Sequence, residues 1–422
     1  MIMVIDDGVE LAHRVATIPC GCRGGRAHIF HLATNDNRKG LSLRGPVRRV
    51  EDDNRKGLSL RVGYCRNHHM LILTDMFHEW SNFMKAVQIR SYGSPDVLVY
   101  TSLPDPKPGP GQVLIKVESA AVNYSDIMRR GNIPYPFPTP LPFIPGGEVA
   151  GVVEALGDGV AEPPVGTPVF ALAGDDGSTG YAQYTLANAK QVIPIPPGLS
   201  MDEASVLVVA GTTAMLTLKE SARLQAGESV LVQGAGGGVG SYAIQIAKIL
   251  GAETVIGAAS SPDKREAALA LGADSVVDYT QPDWSERVRE LTNGRGVDII
   301  LEMSGGKVFM QGLDCLAPFG RSVVYGMASW EPLQFDQETI LKFFYSPSFN
   351  QSLHSFNVGL WFGLQPEAAG SALQELIGLV ASGRIKVSVN QTLPLSEAAE
   401  AHRRIESRRA TGKIVLKPWE EA

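Results

Sequence analysis

Cysteine is scarce in this chain: four in 422 residues, at positions 20, 22, 65 and 315. So few exclude a disulfide framework and suit a reducing, cytoplasmic compartment. No apolar run approaches the roughly 18 residues that a membrane-spanning helix needs, so no membrane association is expected. A basic excess is also missing. The formal net charge is -6, which argues against a general nucleic-acid binder. What is present, 44% hydrophobic and 19% charged residues, suits a globular protein of roughly two to three domains.

The first 83 residues differ from the rest. They hold three of the four cysteines, six histidines and a repeat, Asp36-Asn-Arg-Lys-Gly-Leu-Ser-Leu-Arg44 and Asp53-Asn-Arg-Lys-Gly-Leu-Ser-Leu-Arg61. No sustained helical or strand period runs through them. Two short copies are too few for a solenoid, which needs about three units. Cys20, Cys22, Cys65 and His68 or His69 could form a zinc module, but their spacing matches no paired CxxC pattern. Arginine richness suggests a transit peptide, and Asp6, Asp7 and Glu10 argue against one. The segment therefore reads as a poorly ordered extension ahead of a natural start at Met84.

From Met84 the patterns become regular. Residues 84–90, 112–122 and 148–155 read as strands split by proline- and glycine-rich turns, which suggests a β-rich, barrel-like unit. Near Asp202 the rhythm changes to alternating helices and strands, with strands at 229–233, 254–258, 275–278, 298–302 and 322–325. That alternation predicts a doubly wound parallel sheet. The tail reads as a helix over 366–382, a strand over 387–390, a helix over 396–408 and a last strand over 413–417. The alternating unit is thus expected to be inserted into a unit built from both flanks.

The most specific stretch is 229–248. Ser229-Val-Leu-Val-Gln is a buried strand, Gly234-Ala-Gly-Gly-Gly-Val-Gly240 a glycine turn, and Ser241 onward an amphipathic helix. Only glycine lets backbone approach a dinucleotide pyrophosphate so closely, and the helix start offers free N–H groups and a positive dipole end. A lone glycine motif is weak, but the flanking strand and helix supply the confirming context. The next strand decides the cofactor. NAD enzymes of this type place an acid at its end to bind the ribose hydroxyl. Here Ser260, Ser261 and Lys264 stand there, which suits a 2′-phosphate and so NADP(H). Asp263, just after Pro262, fits a stabiliser of the helix start instead. Lys264 has the competing reading of a solvated helix charge.

From Met84 to Pro418 the chain resembles a zinc-free medium-chain dehydrogenase/reductase of the quinone oxidoreductase type, the group that includes zeta-crystallin. The matching pieces are widely spaced. They include Met84-Lys-Ala-Val, Pro108-Gly-Pro-Gly-Gln-Val-Leu-Ile, Ala121-Val-Asn-Tyr-Ser-Asp126, Pro142-Phe-Ile-Pro-Gly-Gly-Glu-Val-Ala-Gly151, the 234–240 turn, Leu271-Gly-Ala-Asp-Ser-Val-Val-Asp-Tyr279 and Ala410-Thr-Gly-Lys-Ile-Val415. The resemblance implies an α/β fold, with a Rossmann sheet over 206–346 inserted in a GroES-like catalytic domain made of 84–205 and 347–422. It also implies that a zinc-dependent relative would carry cysteine within residues 122–126 and histidine just before Glu148. This chain has Asn123, Tyr124 and Gly147 there, so no catalytic zinc is expected. Hydride must then go to an acceptor that needs no Lewis acid, such as a quinone or an activated alkene.

Residue by residue, the resemblance implies that Gly234, Gly237, Gly238, Val239 and Gly240 form the pyrophosphate turn. Ser260, Ser261, Lys264 and Tyr279 would surround the 2′-phosphate, and Asn123, Thr213, Tyr325 and Met327 would line the nicotinamide. Competing structural roles remain: a helix back-bond for Thr213, core packing for Tyr325 and a surface aromatic at Tyr279. Asn123 and Tyr124 are the candidate catalytic polar groups beside a small apolar acceptor. Tyr124 could protonate a product or be a packed tyrosine. Three functions stay open: NADPH:quinone reduction, NADPH-dependent reduction of α,β-unsaturated carbonyls or enoyl thioesters, and NADPH binding that serves an RNA or protein partner. A homodimer is expected through an apolar edge over 349–361, with Phe356, Leu360 and Trp361.

Overall fold

The protein is described here from a computed structural model, which covers residues 14–17, 29–34, 41–44, 83–331, 335, 337–345 and 350–420. Two units are present, Met1–Ser81 and Asn82–Ala422. In the first, three short strands, Arg14–Thr17, Ile29–Thr34 and Leu41–Arg44, form an antiparallel sheet. The candidate zinc ligands Cys20, Cys22, Cys65, His68 and His69 lie outside the described residues, as does the second copy of the repeat.

In the second unit, an antiparallel-rich sheet is built around the strand Gln112–Val122. Glu148–Leu156 pairs with it along most of its length, Tyr184–Asn188 at one end and Lys413–Lys417 at the other. The sheet continues through Pro168–Leu172 and Ile193–Pro194 on one side and Val389–Pro394 on the other. This is the GroES-like part, and the chain's last strands complete it. Its interior is a cluster of alternating aliphatics such as Val113, Ile115, Val149 and Leu416.

The second sheet has six parallel strands. Their spatial order is Ser275–Val277, Thr254–Ala258, Ser229–Gln233, Val297–Glu302, Leu316–Val324 and Ser352–Ser355. Helices cover both faces, so the inner strands are buried throughout: all five residues of Ser229–Gln233 and all six of Val297–Glu302. That explains their continuous apolar runs. Strand order reverses beside Ser229–Gln233, and in open sheets of this kind the ligand crevice lies at the carboxyl ends of the strands at that point.

Three expectations need correction. The strand expected at 322–325 runs from Leu316 to Val324. A register shift in its pairing, and a left-handed Phe319 (φ 64°), interrupt the period that would have revealed its first half. The parallel sheet also does not end at 346. Its sixth strand is Ser352–Ser355, reached through the crossover helix Gln337–Tyr345 that a parallel pairing requires. Helix Pro366–Ala381 then joins the same core, with Ala369 and Leu376 packed among Val230, Ala243 and Ile246. Finally, Phe356, Leu360 and Trp361 are not on an edge strand. The Asn357 side chain accepts from Leu360 N and starts helix Val358–Leu364. Phe356 and Trp361 stack 6.1 Å apart and pack on the core, while Leu360 stays exposed.

No helix among the described residues is long and apolar enough to cross a membrane. Leu376 is fully buried, and a side chain on Gly211 would sit 2.3 Å from it. Leu376→Ala should therefore cost about 2–5 kcal/mol, because so close a contact leaves a cavity that backbone cannot fill. Chemical denaturation of the full chain measures this; a loss well below that range would mean that the helix is peripheral to the nucleotide core.

Candidate functional site

The crevice begins at the glycine turn. Gly234 has φ +63°, and a Cβ on Gly240 would lie 2.3 Å from the Gly234 carbonyl oxygen. Strand and helix are thus too close for any side chain. Helix Gly238–Ile249 starts behind Gly237, which offers no side-chain cap, so the first N–H groups stay available. The turn is backed from far along the chain. Gly412 N donates to Gly236 O at 2.8 Å, and the Lys413 stem packs against Gly238, 2.7 Å from where a Cβ would stand.

At the end of the next strand, Ser260 and Ser261 lead into helix Pro262–Ala270, with Pro262 at its first position and Asp263 in its first turn. Lys264 packs against Gly236 and donates from Nζ to the Arg408 carbonyl at 2.7 Å. Burial, and then the Arg408 charge, push its ammonium below the usual lysine range. Ser261, Lys264 and Arg408 therefore share one rim with the turn. Tyr279 is half-buried and packs with Val277 and Trp284 on the next strand's cluster.

Thr213 is buried in helix Thr212–Leu216; the back-bonding hydroxyl is that of Thr217, which donates to the Thr213 carbonyl at 2.8 Å. Tyr325 donates from its backbone N to Glu302 O at 2.9 Å, and Met327 lies over Gly305. Both follow from Glu302, a buried acid that ends its strand. Its Oε1 accepts from Ser304 N and Gly305 N at 2.5 and 2.8 Å, which folds the turn that carries Met303 onto Gly234. Burial raises its carboxyl to about 7 against the pull of those N–H groups.

Asn123 is buried and fully engaged. Its amide nitrogen donates to Glu148 Oε2 at 2.8 Å, and its oxygen accepts from Lys413 Nζ at 2.5 Å. Glu148 Oε1 accepts from Val209 N, and Lys413 Nζ also bonds Val122 O. Tyr124 reaches across the crevice. Its hydroxyl donates to Ala328 O at 3.0 Å and accepts from Trp330 Nε1 at 2.6 Å, with the two rings stacked at 6.1 Å. Burial raises the phenol above its ordinary value. Trp330 itself adopts φ 54°, a costly conformation for a bulky side chain, and this contact holds it. Arg129 is buried below the neighbouring loops. Its N–H groups go to Thr139, Pro138, Asp176 and Gly177, and its guanidinium lies 4.2 Å from the Phe143 ring centre.

Residues 109–197 match the family model for the alcohol dehydrogenase GroES-like domain, and residues 238–355 match that for zinc-binding dehydrogenases. A quinone oxidoreductase of Pseudomonas aeruginosa is 34% identical over 335 residues, 79% of this chain and 99% of that protein. The chain belongs to the medium-chain dehydrogenase/reductase family. It groups with the quinone oxidoreductase-like oxidoreductases. A 2-haloacrylate reductase of a Burkholderia species is 33% identical, covering 79% of this chain and 98% of its own. The Escherichia coli quinone oxidoreductase, solved in complex with NADPH, superposes with a TM-score of 0.71 at 28% identity, covering 79% and 100% of the two chains.

The zinc in one model's description finds no fit in this medium-chain dehydrogenase/reductase. Gly147 offers no ligand side chain, and a Cβ there would lie 3.2 Å from the Gly177 carbonyl, a tight contact with the loop at 174–180. Glu148 is taken by Asn123 and Val209, with Lys413 Nζ 3.7 Å away. Among the described residues no three His, Cys, Asp or Glu side chains come together to hold a metal ion.

Several site residues escape sequence reasoning. Lys413, Glu148 and Gly412 lie in quoted motifs, but only folding brings them to the turn. Glu302, Trp330 and Arg408 carry no local signal. Glu302 has a pH consequence. Its carboxyl is raised from 4.5 to about 7, so the folded state favours the protonated form. The stability it contributes is present below pH 4.5 and is lost as pH rises through about 7, by roughly 3 kcal/mol at about 1.4 kcal/mol per unit. Glu302→Gln keeps the Oε1 acceptor and should flatten that part of the fall, as read by urea denaturation at pH 5 and pH 8. Parallel curves for variant and wild type would refute it.

Proposed function

We propose that this protein transfers hydride from NADPH to a quinone without a metal ion. The observation that carries the reading is the rim formed by the glycine turn, Ser260, Ser261, Lys264 and Arg408, where a dinucleotide strand ends in hydroxyls and cations and has no acid. The residues fit the cofactor. The tight turn leaves room only for backbone at Gly234 and Gly240, and the uncapped helix start faces the same rim. The NADPH found in the Escherichia coli relative supports the same choice. NADPH supplies the hydride, and the acceptor takes it together with one proton to become the hydroquinone.

The chain's own part is to bind, orient and exclude water. Tyr325 and Met327 wall the crevice on the Glu302 side. Tyr124 closes it from the GroES-like part, and its raised phenol keeps its proton. A quinone suits that arrangement, since its reduced oxygens can take protons from solvent. The second reading, reduction of an activated alkene, is favoured by the 2-haloacrylate reductase relative. It needs a placed acid at carbon, a role open only to Tyr124 among the two candidate catalytic residues. The same overall reading takes the protein to be a cytoplasmic homodimer pairing through the exposed strand Ser352–Ser355.

Two measurements test this. Lys264→Ala should weaken NADPH about 10–100-fold and NADH less than about threefold, the loss of a charged contact to phosphate. Equal losses for both, in fluorescence titrations, would remove the 2′-phosphate assignment. Tyr124→Phe should lower kcat/KM for ortho-quinones by no more than about tenfold, a hydrogen-bond-sized effect. A loss of 100-fold or more, paired with faster turnover of enones than of quinones, would mark the alkene reading as correct.

A further inference from the structure

Beneath the crevice lies a chain of buried polar groups that the proposed chemistry does not touch. His402, on helix Ala398–Glu406, is fully buried, as is Tyr181, and Asp126 and Arg130 are nearly so. Arg130 lies 3.2 Å from His402 Nδ1. A guanidinium can only donate, so Nδ1 accepts. Burial, reinforced by the Arg130 charge, drops the imidazole to about 3, so the ring is neutral. The remaining ring proton must then sit on Nε2. From there it points to the Tyr181 hydroxyl at 3.1 Å. That hydroxyl, its lone pair taken, donates to Asp126 Oδ2 at 3.1 Å. Every bond runs one way, from Arg130 to Asp126, and Glu406 anchors the outer end through its ion pair with Arg130.

The inner end is where position is set. Asp126 also accepts from Asn123 N at 2.8 Å and from Gly146 N at 3.3 Å. The first bond fixes the start of helix Tyr124–Arg130, and with it Asn123 and Tyr124. The second fixes the turn that delivers Gly147 and Glu148. A hydroxyl offered the wrong way by Tyr181 would face the carboxylate with a lone pair and weaken both.

We propose that His402 is a positioning residue: as the neutral Nε2–H tautomer it orients Tyr181, and so holds Asp126 as the common acceptor that places Asn123, Tyr124 and Glu148 at the crevice. Its effect on turnover rests on the hydride-transfer reading above; its effect on the backbone does not. Glutamine can copy the role, since its oxygen accepts from Arg130 while its nitrogen donates to Tyr181. Leucine cannot.

The full chain labelled with nitrogen-15 tests this. Burial raises the Asp126 carboxyl to about 6, so the His402 signals, assigned by their loss in His402→Gln, should show the Nε2–H tautomer between pH 8 and pH 7, where Asp126 is the carboxylate acceptor. In His402→Leu, amide exchange at Asn123 and Gly146 should speed up about tenfold or more, the size of one lost hydrogen bond. Exchange at Val230–Val232 should stay unchanged, and His402→Gln should restore protection. With NADPH and an ortho-quinone, His402→Leu should lose kcat while its NADPH affinity stays within about threefold, and glutamine should recover most of the loss. An Nδ1–H or charged ring at pH 7, or equal exchange in the leucine and glutamine variants, overturns the proposal. So does faster exchange everywhere in His402→Leu, which would mean mere loss of stability. If the wild type turns over no acceptor, the hydride-transfer reading falls, and the tautomer and exchange results still decide the role of His402.

Discussion

A single buried ammonium joins the two halves of the catalytic unit. Lys413 comes from the last strand of the GroES-like sheet, and its stem lies on Gly238 at the start of the nucleotide helix. Its charge is met by Asn123 and Val122, with Glu148 close by, and Glu148 in turn binds Val209 N. Antiparallel sheet, the start of helix Tyr124–Arg130 and nucleotide core therefore meet in one desolvated cluster. Such a cluster contributes little net stability, since desolvation offsets attraction, yet removing one partner strands a buried charge at a cost of about 3–5 kcal/mol. Its value is geometric: it ties Asn123 and the last strand to the start of the nucleotide helix.

Around Gly147 the chain is held by backbone contacts. The loop at 174–180 rests on Gly147, and Arg129 grips that loop through the carbonyls of Asp176 and Gly177 and the Asp176 carboxylate. The neighbouring helix start is ordered in the same way, by hydrogen bonds and by the stacked rings of Tyr124 and Trp330.

Much of this fold is legible in the sequence. The strand over 229–233 and the glycine turn were plain, because an apolar run and a glycine cluster act locally. So were the strands at 112–122 and 413–417. The first half of Leu316–Val324 was hidden because a bulge breaks its period. The sheet does have its edge within 349–361, at Ser352–Ser355, but Leu360 and Trp361 lie beyond it, because the short strand gives way to a helix at Asn357. In the site, Ser260, Ser261 and Lys264 were legible as a strand end without an acid. Trp330, Arg408 and Glu302 were not. Arg408 meets Lys264 across 144 residues, and no local pattern records such a meeting. The engagement of Asn123 was equally invisible: an amide that looks free for chemistry is held on both sides by Glu148 and Lys413.

The bond from Gly412 to Gly236 has a consequence for biosynthesis. A chain emerging from the ribosome can form its glycine turn as soon as residues 229–249 and their neighbouring strands are out. The backing of that turn arrives some 170 residues later, with residues 412 and 413. Dinucleotide affinity should therefore rise late and abruptly, as a signal that the two halves have docked, and a truncated product would be left with an open and poorly retentive cleft.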